Sequence, residues 1–326
     1  MKTKLLAAGL VSLATMAGAD VPVLTVLTFD SFATEWGPGP AIKVGFEKTC
    51  GCEVKYLTAG DGAAILARLK LEGSKSSADV VVGLDTNLTA DASATGLFAP
   101  VVSLPNALPV PYADPLFVPF DWGWFAFVYD KAKLANPPKS LQELAASDLK
   151  IIIEDPRSST PGLGLLMWVK AAYGEGAAQI WTDLADNIVT VTPGWSEAYG
   201  LFLQGESDLV LSYTTSPAYH LIAEQDDSKA AADFTEGHYL QIEVAGQLAS
   251  SKQPKLAADF LAYLTGAEAQ SMIPTTNWMY PANPAVALPE GFNAMIKPQK
   301  TLLFSAQEAF ELRAAAIVEW QTALSR

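Results

Sequence analysis

Short β-branched runs and amphipathic runs alternate from residue 23 onward, which restricts the chain to folds whose helices cover a mostly parallel sheet. Residues 23–28 read as a strand, 41–48 as a helix, 53–57 as a strand, 62–71 as a helix and 79–82 as a strand. A proline-rich, irregular passage covers 105–121, and the pattern resumes with the apolar strand 124–129, the helix 140–146 and the strand 150–154. A helical run follows at 163–173. Residues 239–244 read as a strand that leads back toward the first half, and 254–264 as an amphipathic helix. The last run, 305–324, reads as a closing helix that packs through Phe310, Ala314, Ile317 and Leu324. A chain of 326 residues exceeds what one core usually accommodates, so two α/β lobes are expected, with 105–121 as the passage between them.

Residues 1–19 carry Lys2 and Lys4, an apolar run from Leu5 to Met16 and a small-residue end at Ala17, Gly18 and Ala19. That is the layout of a secretory signal peptide cleaved near Ala19. Its apolar run is too short to span a bilayer, and no later segment approaches the ~18 apolar residues a span needs, so no membrane insertion is expected. The chain has 35 acidic against 21 basic residues, a net charge of −14, and losing Lys2 and Lys4 with no acid leaves −16. Such a field argues against nucleic acid and favours a cationic small molecule over an anionic one. Cys50 and Cys52, one glycine apart, can close a small disulfide in an oxidising compartment. A metal site there lacks a third thiol, and His220 and His238 lie far away in sequence.

Residues 192–220 carry the densest functional signal. Residues 189–191 and 209–211 have the composition of buried strands, and 196–203 between them has helical spacing. Gly194 and Trp195 then follow one strand, and Tyr213, Thr214, Thr215 and Ser216 follow the next. That is the carboxyl edge where open α/β sheets bind ligands. Ser216 before Pro217 reads as a helix start with the hydroxyl as N-cap. Any one of Trp195, Tyr199, Tyr213 and Tyr219, taken singly, fits a core position equally well.

Three other loops carry polar or aromatic groups. Residues 29–40 hold Trp36 between polar stretches and two glycine–proline breaks. Asp61 stands at a helix start, either as a cap or as a carboxylate for a ligand amine. Ser158, Ser159 and Thr160 precede a proline and a helix, a ready anion site. Residues 274–281 form a loop fixed by a proline at each end, carrying Trp278. Motifs for serine, zinc or nucleotide chemistry are absent, and both histidines sit beside a tyrosine without a suggestively spaced carboxylate, so they read as structural.

The runs FDSFATEWGPG, DPRSSTPGLGLL, TPGWSEAYGLFLQGESDLVLSYTTSPAYH and IPTTNWMYP together resemble the periplasmic thiamine-binding proteins of bacterial thiamine ABC importers. The resemblance covers essentially the whole mature chain. It implies a type II periplasmic binding protein fold, two α/β lobes around a ligand cleft, divided here as 20–119 plus 240–275 and 120–239 plus 276–326. It implies a ligand site made of Asp61, Gly62, Ser159, Thr160, Trp195, Tyr213, Thr214, Thr215, Ser216, Tyr219 and Trp278, with Trp36 near the cleft. Phe29 stands where the family usually has tyrosine, so stacking survives there and a phenol hydrogen bond does not. The implied ligand is thiamine or its mono- and diphosphate, the partner an inner-membrane ABC permease, and the working form a monomer without cofactor or metal.

The aromatics fit this ligand, because indole faces attract a cation such as thiazolium by about 0.5–2 kcal/mol each. Two rivals stand beside it. A thiamine-cleaving enzyme of the same fold needs a cysteine nucleophile in the cleft, and Cys50 and Cys52 sit at the far end of a helix. A binder of ferric ion or polyamine needs clustered tyrosines or several carboxylates, whereas one cleft acid, Asp61, is expected.

Overall fold

In the computed structural model, which describes residues 21–102 and 105–325, the strands join in one mixed sheet. Strands β1 (Val23–Thr28), β2 (Glu53–Thr58) and β3 (Val80–Asp85) run parallel, with β1 between the other two. The long β4 (Val118–Asp130) leads out of this half. Strands β5 (Ile151–Glu154), β6 (Ile188–Thr192) and β7 (Leu209–Tyr213) form a second parallel set around β5. After the short β8 (Lys229–Ala231), β9 (His238–Gln247) returns the chain and lies antiparallel between β3 and β4. Short strands β10 (Tyr280–Pro281) and β11 (Thr301–Leu302) pair with β4 and β9. The order β2-β1-β3-β9-β4-β7-β5-β6 therefore places two parallel halves on either side of a crossing pair.

Helices α1 (Asp30–Ala33), α2 (Pro38–Cys50), α3 (Gly62–Glu72) and α4 (Thr89–Ala94) belong to the first half. The second half carries α5 (Leu141–Ala145), α6 (Thr160–Tyr173), α7 (Ala177–Leu184), α8 (Trp195–Leu203) and α9 (Pro217–Tyr219), the last running into a π-helical turn, His220–Glu224. Then come α10 (Pro254–Leu264), α11 (Ala267–Gln270), α12 (Ile273–Thr276) and α13 (Ala306–Leu324). Gly51, at φ 60°, ends α2 in the left-handed conformation that favours glycine, and Cys50 and Cys52 on either side of it are disulfide-bonded.

Three expectations need correction. The passage between halves is not the irregular stretch 105–121, because β4 already begins at Val118 and the crossing is made by β4 and β9 together. Pro119 is accommodated by a bulge between Pro119 and Asp121, which relieves the missing N–H. Val189 and Val191 do not fill a buried strand; β6 is the sheet edge and leaves both exposed. Finally, α13 packs through Ala309, Ala316, Trp320 and Ala323, with Phe310 and Ala314 facing solvent. The helix lies over α6 and α7 and reaches α4, so small residues suit the close approach. Ion pairs Arg313–Asp91 and Lys170–Glu319 fix its two sides. The signal-peptide expectation falls on residues 1–19, outside the described residues.

Helix α6 approaches β4 at Gly164, where an added Cβ would sit 2.0 Å from the Phe125 ring. Gly164→Ala is therefore expected to overpack the core and lower stability by about 1–3 kcal/mol. Urea unfolding measures this, and an unchanged midpoint would show that Phe125 has room to yield.

Candidate functional site

Loops at the carboxyl ends of β1, β2, β5, β6 and β7 converge with the middle of β9 on a cavity of about 500 Å³. Of the residues expected there, Trp36, Asp61, Thr160, Trp195, Tyr213, Ser216, Tyr219 and Trp278 line it, as does Phe29. Gly62, Ser159, Thr214 and Thr215 lie behind the wall.

Asp61 stands at the N-cap position of α3 but makes no side-chain capping bond. Its Oδ2 instead accepts the Trp195 N–H from the other half, at 3.4 Å. Burial raises its pKa to about 6, against the lowering effect of the Ser159 hydroxyl and the Trp195 N–H. Thr160 Oγ1 accepts the Gly62 N–H at 3.0 Å, and the Ser158 carbonyl accepts the Ala64 N–H at 3.3 Å. The two halves thus touch across the cleft, and Gly62 contributes its backbone to that contact. The hydroxyl cluster is divided among separate tasks. Ser159 Oγ accepts the Gly162 N–H as a true N-cap and is fully buried, while Ser158 Oγ donates to the Pro193 carbonyl at 2.7 Å. Thr160 alone of the three lines the cavity.

Ser216 does not cap α9 as expected. Its backbone is already helical, and its Oγ bonds Ser212 Oγ at 2.7 Å and accepts the Tyr213 N–H. Trp195 Nε1 donates to the same Ser212 hydroxyl, which locks the indole. Thr214 and Thr215 are completely buried, with Thr215 Oγ1 against the Met279 sulfur. Trp195 stacks on Tyr199 with centroids 5.1 Å apart, and Trp36 approaches it at 6.4 Å. Opposite them, Tyr219 meets the edge of Trp278 at 5.3 Å. Trp278 holds φ 56°, a left-handed backbone uncommon for a bulky residue and typical of ligand clamps. His238 bonds the backbone of Phe234 and Phe125, and His220 bridges the Tyr199 hydroxyl and Glu224, a carboxylate one helical turn on that corrects the expectation of none at a suggestive spacing.

The expectation of a single cleft acid is also corrected. Glu243 lines the cavity beside Gln241, and Asp121 and Glu154 are buried behind. The signal was available: in YLQIEV, an apolar strand, two polar residues stand two apart, which puts both on one face. Asn277, which donates to Asp121 at 2.6 Å, is a further lining residue that the spacing alone did not single out, and Tyr199, left open between core and cleft, also lines the cavity.

The family described as bacterial extracellular solute-binding protein matches residues 28–271. The chain belongs to that family. This solute-binding protein is 58% identical over 309 residues to the thiamine-binding periplasmic protein of Salmonella typhimurium, covering 94% of each chain. It is 57% identical to the protein of the same name from Escherichia coli, again over 94% of each. A solved structure of a periplasmic thiamin binding protein superposes with a TM-score of 0.92 at 55% identity, covering 98% of this chain and 100% of that one. The fold is the type II arrangement expected. Among the described residues of this solute-binding protein, no Lys, Arg or His lines the cavity. Aromatic faces, hydroxyls and two carboxyl groups do, a set complementary to a flat cation.

Proposed function

We propose that this protein is a periplasmic thiamine receptor that captures the vitamin in its cleft and delivers it, as a monomer, to an inner-membrane ABC permease. The observation that carries the reading is the pairing of Asp61 with indole and phenol faces in a cavity without a basic group. The similarity to thiamine-binding periplasmic proteins supports it. Export through a signal peptide cleaved near Ala19 belongs to the same reading. So does capture of thiamine mono- and diphosphate, with Thr160 and Ser216 among the hydroxyl residues that line the cavity. Cross-cleft bonds from Asp61 and Thr160 stabilise a closed form that a permease can recognise, and ligand favours that form only through tighter binding to it.

Titrating the protein with thiamine should quench tryptophan fluorescence to a one-to-one endpoint, because Trp36, Trp195 and Trp278 line one cavity. Trp278→Leu is expected to weaken thiamine by about 0.5–2 kcal/mol more than it weakens a neutral reduced analogue. Equal losses would make Trp278 a packing wall. Cleavage is disfavoured because Cys50 and Cys52 are bonded to each other and leave no thiol nucleophile. Free pyrimidine adduct in the mass spectrum after long incubation with a thiol acceptor would restore the enzyme reading.

A further inference from the structure

A line of acids runs beneath the cavity. In the neighbouring antiparallel strands β3, β9 and β4, Asp85 is opposite Glu243 and Glu243 is opposite Asp121. Directly opposed residues share a face, so the three side chains rise together. Asp85 and Asp121 are completely buried, and Glu243 keeps 5% of its surface, on the cavity. Asn87 donates twice to Asp85, and Asn277 donates to one oxygen of Asp121. The other Asp121 oxygen accepts no N–H or hydroxyl among the described residues; its neighbour is the Glu243 carboxyl. Two positions along β9, Gln241 supplies an independent sign of a ligand. Its Oε1 accepts the Tyr213 hydroxyl at 2.7 Å, which leaves Nε2 buried and unpartnered in a residue that lines the cavity. A buried donor without a partner is rare in folded proteins and marks where a ligand atom completes the site.

We propose that Gln241 and Glu243, backed by Asp121, form a ligand-binding floor, and that the ligand's positive charge settles there in exchange for a proton shared by Glu243 and Asp121. This rests on the reading of the ligand as a thiamine cation. Two carboxyl groups on directly opposed strand positions, one completely buried and the other nearly so, strongly disfavour double ionisation, so the pair retains one proton until a cation replaces it. On exchange the Glu243 carboxyl ionises, its proton passes to the solvent buffer and the ligand's charge takes its place. The groups acting on Glu243 are all acids: Asp121 from β4, Asp85 from β3 and Asp61 from the start of α3, with the Tyr213 hydroxyl of β7 close by. Arg313 of α13 acts on Asp85 at the far end of the line. Burial and these neighbours hold Glu243 well above the usual carboxylate range.

The test is calorimetric titration of the intact protein with thiamine at pH 8, in two buffers of different ionisation heat. Asp61, with its pKa about 6, is already ionised there, and since burial also holds Glu154 behind Asp61 well above the usual carboxylate range, it is the loss of release in Glu243→Gln that assigns the proton to the floor. The expected release is about one proton per thiamine bound in the unaltered protein. Glu243→Gln, which keeps size and removes the proton, should release none and bind about tenfold or more weakly. Its thermal melting confirms folding, and the unaltered protein decides the question even if that variant fails. Binding without proton release, or release unchanged in Glu243→Gln, overturns the exchange and leaves the thiamine reading standing. Absence of both binding heat and fluorescence quenching overturns that reading, and the exchange with it.

Discussion

Asp61→Asn should lower thiamine affinity about 30- to 700-fold, the equivalent of about 2–4 kcal/mol for removing one of the two cavity carboxylates, Asp61 and Glu243, that face the bound cation. Asparagine keeps the size of the side chain, and its Oδ1 can still accept the Trp195 N–H that Asp61 Oδ2 accepts at 3.4 Å. The cross-cleft contact therefore survives, and the loss reports charge. A second signature follows from the pKa of about 6. A cation binds the ionised form, so affinity should climb as pH rises from 5 to 7, and the part of that climb centred near pH 6 should vanish in the variant. Calorimetry at three pH values measures both. A change within about threefold would mean that Asp61 latches the halves without recognising charge.

The ligand-free protein should be markedly more heat-stable at pH 5 than at pH 8. Burial raises the pKa of Asp61 to about 6, and of Asp85 and Asp121 to about 7, while Glu154 and Glu243 are raised well above their ordinary value. Unfolded, the aspartates return to 3.8 and the glutamates to 4.5. Between those values the native state binds more protons than the unfolded chain, so stability falls as pH rises. The contribution is fully present below the unfolded values and is lost as pH rises through the folded ones. Its size is on the order of several kcal/mol over the window from pH 4 to 8. The net charge of −14 adds repulsion in the same direction. Below pH 4 the trend reverses, because the ion-paired Asp91 and Asp155 have lowered pKa values and lose their partners there. Calorimetric melting of the ligand-free protein from pH 4.5 to 8 tests this, and a higher melting temperature at pH 8 would sink it.

Most of the frame was legible because burial writes a pattern. Val23–Thr28 is a strand as read, and α3 and α10 begin where Gly62 and Pro254 suggested. The failures have physical causes. A strand composition such as IVTVT does not say whether its neighbours cover one side or two, so edge valines were read as core. On α13, Ile317 and Leu324 pack against the core as expected, but small residues pack closest, so Ala309 and Ala316 take the interface in place of Phe310 and Ala314. In the site, aromatics and the Asp61 loop announced themselves because they stand in loops. The alternation of Gln241 and Glu243 puts both on one face of a strand, but which groups they meet there depends on the neighbours that the register supplies, Asp121 among them. Conversely, the Ser159 oxygen caps α6 by accepting the Gly162 N–H, and its hydroxyl faces the Asp61 carboxyl, a division of labour that the loop composition does not reveal.

The halves are joined by hydrogen-bonded ladder and not by a free linker, since β9 pairs with β3 on one side and with β4 on the other. Both ladders break register once, at Val82/Leu84 and at Pro119/Asp121, and local twist concentrates at such bulges. Any change in the angle between the halves therefore has to bend paired strands, and it falls most easily on the two points where the ladders are already interrupted.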